Sequence, residues 1–170
     1  MASATSQQTI GPFWHGHAEK VWCDLTRFGG DTGGRRTLTL TGCITDGDGA
    51  LVTDACIETW QTSPPVSDTF PGWGRCATDA EGTFRIRTFI PEDHPRQAPH
   101  IAVLVHARGL LKPLLTRAYF ANHPMNERDP VLQSIDPDRR TTLLARPVGE
   151  GRWQFDIRLQ GEGETVFFEI

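Results

Sequence analysis

The sequence predicts an all-β protein: a β-sandwich of about eight mostly antiparallel strands, with an extended N-terminal arm and one short helix. Three observations carry that expectation. Polar and apolar residues alternate with a period of two over several short runs, the pattern of half-buried strands. Turn formers separate the runs, with 17 Gly and 12 Pro against only 38% hydrophobic residues. A single stretch carries helix-start signals. A chain of 170 residues has room for one domain, whose core can form without a metal or disulfides.

Residues 1–32 read as an irregular arm. Within it Thr9-Ile10-Gly11-Pro12-Phe13-Trp14 is apolar, yet Gly-Pro prevents a continuous helix or a central strand. An apolar arm without a regular partner of its own lies on something, either this domain or another chain. Residues 33–170 form the sandwich. Thr37-Leu38-Thr39-Leu40-Thr41 alternates, and Asp46-Gly47-Asp48-Gly49 supplies the turn after it. Ala55-Cys56-Ile57-Glu58-Thr59-Trp60-Gln61 is a second strand. The run from Gly82 to Phe89 alternates and stops at Pro91. His100-Ile101-Ala102-Val103-Leu104-Val105-His106 is continuous enough for a strand covered on both faces. Leu114 to Phe120 follows a short turn. The helix is expected from Asp136-Pro137-Asp138, with Pro just inside its start, to about Ala145. Arg152 to Leu159 alternates again, and Thr165 to Phe168 supplies a last strand.

Composition narrows the function. Lys+Arg 17 against Asp+Glu 21 gives a net charge of −4 with no basic run, which argues against a nucleic-acid or polybasic membrane surface. The first eight residues lack the basic and apolar regions of a secretory signal, and no apolar run could span a bilayer. Cys23, Cys43, Cys56 and Cys76 include no C-x-x-C pair and are expected as free, mostly buried thiols in a cytoplasmic protein. There is one Tyr against nine Phe and five Trp, so chemistry needing two tyrosines is closed to this chain acting alone.

Few residues carry chemistry by pattern. His15-x-His17 would share one face of an extended segment, but a bare H-x-H is a weak metal signal. His100 and His106 share a strand face about 20 Å apart, too far for one ion. His123 reads as a loop residue. Gly161-Glu162-Gly163-Glu164-Thr165 lacks the Lys and helix of a phosphate cradle and reads as a hairpin. Gly47-Asp48-Gly49 lacks the helical flanks of a calcium loop. All but two of the basic residues are Arg, and Arg108, at the end of the most apolar strand, is best placed to meet an anionic ligand. From pattern alone it reads rather as a solvated turn residue or the partner of a carboxylate.

Several segments together resemble the intradiol ring-cleaving dioxygenases: Gly42 to Gly49, Ile57-Glu58-Thr59-Trp60-Gln61, Gly74 to Phe84, Arg87-Thr88-Phe89-Ile90-Pro91, Ala98-Pro99-His100-Ile101 and Thr116 to Phe120. Ser6 to Phe13 and the run Gln154 to Phe168 resemble the non-catalytic α subunits of heteromeric members. The family folds as a β-sandwich, in agreement with the strand pattern. Its chemistry uses a ferric ion held by two tyrosinates and two histidines, hard anionic phenolates favouring Fe(III). Carried onto this sequence, the first tyrosine position falls in Thr62 to Trp73, which contains none. The second falls on His94, and the paired histidines become His100 and Ala102. The resemblance therefore implies a vestigial metal site, no catalytic residue in this chain, and Fe(III) bound by a partner β subunit on which the arm packs.

It further implies that Thr9, Gly11, Pro12, Phe13 and Arg108 line a substrate cavity at the α/β interface. Phe13 stands where related α chains have Tyr. The implied reaction opens 3,4-dihydroxybenzoate with O2 to 3-carboxy-cis,cis-muconate. Two other expectations stay open here: the same assembly acting on another acidic catechol such as 4-sulfocatechol, and a stand-alone β-sandwich binding module with no enzymatic role.

Overall fold

The computed structural model describes residues 5–11, 14, 20–28 and 34–169. Nine strands account for most of its regular structure: β1 (Thr37–Thr45), β2 (Cys56–Trp60), β3 (Trp73–Ala77), β4 (Thr83–Phe89), β5 (His100–His106), β6 (Leu114–Phe120), β7 (Leu144–Gly149), β8 (Arg152–Gln154) and β9 (Ile157–Arg158). They pair in the order β3-β2-β5-β6-β7-β8-β1-β4, with β9 beside β1. Most pairs are antiparallel; β1 with β8, β1 with β9 and β6 with β7 are parallel.

The path folds into two layers because alternate residues of both halves are apolar. Leu38, Leu40 and Ile44 of β1 and Phe84 and Ile86 of β4 come from one half. They share a core with Ile57 of β2, Cys76 of β3 and Ile101, Val103 and Val105 of β5. The strand expected to be covered on both faces is covered unequally: Ile101, Val103 and Val105 are buried, while His100, Ala102, Leu104 and His106 are only partly so. That outer face holds the positions of interest.

Helical structure is shorter than the sequence promised. The expected helix over 136–145 is a four-residue turn, α2 (Pro137–Arg140), followed by a 3-10 turn at Thr141–Leu143 and then by β7. A second four-residue helix, α1 (Pro130–Gln133), precedes it, with Asp129 accepting from the backbone N–H groups of Val131 and Leu132. The alternating run after Arg152 divides into β8 and β9 around Phe155 and Asp156, and Thr165 to Phe168 makes a single bridge, Leu115 to Phe168, rather than a strand. No disulfide joins the four cysteines. Among the described residues no helix is long and apolar enough to cross a membrane.

Candidate functional site

Two regions hold the residues singled out by sequence. The first is a cavity of about 750 Å³ at the start of β5, lined by His94, His100 and Ala102 together with Trp60, Val66 and proline residues of the flanking loops. The three positions that would carry family metal ligands thus converge on one wall, as does the loop Thr62 to Trp73 through Thr62, Ser63, Pro65, Pro71 and Gly72. The donor set does not fit a ferric ion. No tyrosine lines the cavity, and its two imidazoles are neutral donors of the kind that suit softer divalent ions. His100 Nδ1 lies 2.9 Å from the Ala98 carbonyl, a contact that fixes its ring, and burial pulls its pKa below the ordinary value. His94 Nδ1 accepts from the Arg96 N–H at 3.3 Å. Among the described residues, no three His, Cys, Asp or Glu side chains gather in a metal-binding group.

The second region is the turn after β5, where Arg108 meets the arm. Arg108 Nε is ion-paired with Asp54 Oδ2, on the turn that leads into β2. The pair stands at the surface, the Arg108 side chain 63% exposed and that of Asp54 24%. Thr9 brackets the arginine: its hydroxyl donates to the Ala107 carbonyl (3.3 Å) and accepts from the Gly109 N–H (2.9 Å). Trp14 donates from Nε1 to the Asp54 carbonyl at 3.1 Å. Gly109 adopts φ +90°, a backbone conformation that favours glycine and lets the turn close. Gly11 is exposed, with open space where a Cβ would project. Pro12, Phe13 and the His15/His17 pair lie outside the described residues.

Between the two regions runs a charged network that sequence reasoning missed. Arg75 of β3 donates from Nε to Glu58 Oε1 of β2 at 2.9 Å, across a direct register pair. His106 Nε2 stands 3.5 Å from Glu58 Oε2, beyond a well-formed hydrogen bond but within reach of its charge. The His106 imidazole, then Arg75, hold the Glu58 carboxyl below the ordinary carboxylate range, against burial that raises it. The signal available was parity: Glu58 and Arg75 both point outward from neighbouring strands, but sequence alone does not tell which strands are neighbours. With Ile10, Trp14 and Cys56, His106 and Arg75 line a small cavity of about 250 Å³ beneath the arm. The described part of the arm therefore rests on this chain's own sandwich.

Comparison with known proteins settles the lineage. The chain is 35% identical to the protocatechuate 3,4-dioxygenase α chain of Pseudomonas putida, over 98% of this chain and 96% of that one. It belongs to the protocatechuate 3,4-dioxygenase α-chain family. The α chain of Burkholderia cepacia is equally similar, at 35% identity over 98% of this chain and 97% of its own. The B. cepacia β chain is 29% identical over 93% of this chain and 76% of its own, so α and β chains are both relatives of this one. No protein-family model matches. Among solved structures, the dioxygenase domain of a dioxygenase and carbohydrate-binding fusion from Streptomyces sp. SirexAA-E superposes with a TM-score of 0.62. It is 28% identical and covers 94% of this chain and 99% of that domain. Catechol 1,2-dioxygenase of Acinetobacter sp. ADP1 shares the fold, with a TM-score of 0.63 and 21% identity over 86% of this chain and 60% of that one. These relatives are oxidoreductases, and intradiol dioxygenases imply non-haem iron. In this α-family chain the implied ligand positions are His94, His100 and Ala102, which do not fit that iron.

Proposed function

We propose that this chain is the iron-free α subunit of a heteromeric intradiol dioxygenase that opens 3,4-dihydroxybenzoate with O2 to 3-carboxy-cis,cis-muconate. Fe(III) is held by a β-type partner. The observation that carries the reading is a combination: α-chain similarity over 98% of the sequence, with a cavity whose wall bears His94, His100 and Ala102 in place of a ferric ligand set. The chain keeps the sandwich and has given up the donors.

Its contribution to the reaction is binding and orientation. Arg108, largely exposed at the arm, offers a guanidinium to the ring carboxylate, a charge-assisted contact that an uncharged catechol cannot make. Thr9 fixes the backbone on both sides of that arginine, and Gly11 leaves room for a ring or a partner to approach. Pro12 and Phe13, which follow Gly11 in the sequence, complete the set of arm residues proposed to line the cavity. The free cysteines fit a cytoplasmic assembly.

Co-expression with a β-type chain tests the reading. The two should co-purify in a fixed ratio, iron should follow the β chain, and oxygen uptake should require both. Oxygen uptake with 3,4-dihydroxybenzoate by this chain alone, or failure to form a complex, overturns it. In the assembled enzyme Arg108→Ala should raise KM for carboxylated and sulfonated catechols more than for catechol itself. The relative turnover of the two acidic substrates separates the carboxylate reading from the sulfonate one.

A further inference from the structure

Arg108 is not a free guanidinium waiting for an anion. Its Nε edge is occupied by Asp54 Oδ2, and among the described residues its side chain meets no other partner. A guanidinium has two donor edges, one through Nε and one between the two terminal nitrogens. Engagement of the first by a carboxylate leaves the second pointing away from that carboxylate, in the geometry that binds an incoming carboxylate through two parallel hydrogen bonds. The arm reinforces both halves of the pair. The Thr9 hydroxyl holds the peptides on either side of Arg108, while Trp14 Nε1 holds the carbonyl of Asp54 itself. The arm therefore ties the β2 turn to the β5 turn at the point where the two side chains meet.

We infer that Asp54 is a positioning residue: it grips Arg108 by Nε and aims the terminal nitrogens at the anionic substituent of the substrate. The inference rests on the substrate role proposed for Arg108. Two opposing effects follow from the geometry. Asp54 places a negative charge near the bound anion, which weakens attraction; it also removes the rotational freedom of a long, 63% exposed side chain before substrate arrives. Both groups stand near water, where charge repulsion between separated anions is strongly screened, so orientation wins.

The test uses the co-purified αβ enzyme and reads the ratio of KM for 3,4-dihydroxybenzoate to KM for catechol. Arg108→Ala is the reference, and its ratio should rise. Asp54→Ala should raise the ratio about tenfold with little change in kcat, the signature of lost binding orientation. Asp54→Asn retains an acceptor for Nε and should restore most of the wild-type ratio. Asp54→Glu keeps the charge but displaces it by one methylene, so it should raise the ratio even if the alanine variant assembles poorly. Iron content and the αβ ratio, measured on every variant, should stay at wild-type values. An unchanged or lowered ratio in Asp54→Ala or Asp54→Glu, with a raised ratio in Arg108→Ala, overturns the positioning role and leaves the substrate role intact. An unchanged ratio in Arg108→Ala overturns both.

Discussion

Tyr119 donates its phenolic hydrogen to Asp129 Oδ1 at 3.2 Å, joining the chain's one tyrosine to a carboxylate that is 0% exposed. The same oxygen accepts from the Val131 and Leu132 N–H groups at 2.9 and 2.8 Å, and Oδ2 accepts from the Ala98 N–H at 2.8 Å. Asp129 thereby fastens β6, the start of α1 and the loop before β5. Burial pushes the Tyr119 phenol up to about 12, so it stays neutral and acts as a donor. Tyr119→Phe should cost about 1–2 kcal/mol in urea unfolding, because it removes two hydrogen bonds, the one donated to Asp129 and the one accepted from Arg117 Nη1 at 3.2 Å. Asp129→Ala should cost about 3 kcal/mol, because it strands three backbone donors and the phenol together. Tyr119→Phe should leave the iron content of the αβ enzyme unchanged; a loss of iron would place this tyrosine in the metal chemistry instead.

Two depressed pKa values fix how stability responds to acid. His100, whose ordinary value is 6.5, is held lower by burial, so the unfolded chain takes up its proton first. Stability from that burial is complete above about pH 6.5 and declines as pH falls toward the folded value. Glu58, ordinarily 4.5, is held lower by His106 and Arg75, and its contribution declines only below about pH 4.5. Thermal midpoints measured from pH 8 to pH 3 should therefore fall in two stages. His100→Gln should flatten the upper stage and Glu58→Gln the lower one. A Glu58→Gln variant that keeps the full slope below pH 4.5 would show that the network with Arg75 and His106 does not favour the ionised carboxyl.

The strands were most legible where one face meets the core and the other meets water. β1 alternates throughout and β4 as far as Thr88, because Leu38, Leu40, Ile86 and their neighbours face inward between exposed or half-exposed residues. β7 left no such trace. It lies at the seam between layers, only Ala145 is fully buried, and Pro147 interrupts it, so Leu144 and Ala145 read as the end of a helix and the rest as no element. The helix start was visible in Asp136-Pro137, but nothing local announces that Leu144 will instead pair with Tyr119. The site divides similarly. Strand parity puts His100 and Ala102 on one face, whereas His94 joins their cavity through a loop that periodicity does not describe. Arg108 stood out by its position at a strand end. Its partner Asp54 lies far away in sequence, on the turn before β2, and only the β2–β5 pairing brings the two together.

The donor set at the β5 cavity also makes a direct prediction about metal. Purified alone and exposed to ferric iron, the chain should retain less than one iron per molecule and lack the visible absorption of tyrosinate bound to iron. Two neutral imidazoles without an anionic ligand do not hold Fe(III) as phenolates do. His100→Ala should therefore leave the iron content of the αβ enzyme unaltered. Metal analysis decides it: one tightly bound iron per chain, lost on His100→Ala, would mean that the cavity still functions as a metal site.

Gly42 tests the closeness of the sandwich rather than its chemistry. It sits in β1 opposite Phe84, and a Cβ at this position would come within 1.8 Å of the Phe155 carbonyl oxygen and 2.7 Å of the Phe84 ring. Neither neighbour can retreat cheaply. The Phe155 N–H donates to the Thr41 carbonyl at 2.8 Å, which ties that backbone to β1, and both phenyl rings are core residues. Gly49 offers the contrast, since its Cβ would meet nothing within 4 Å and only its φ of +80° opposes a side chain. Gly42→Ala should cost about 3 kcal/mol or more through overpacking, whereas Gly49→Ala should cost about 1 kcal/mol through backbone strain alone. Urea midpoints of the two variants check this, and equal losses would show that β1 shifts to make room where the packing says it cannot.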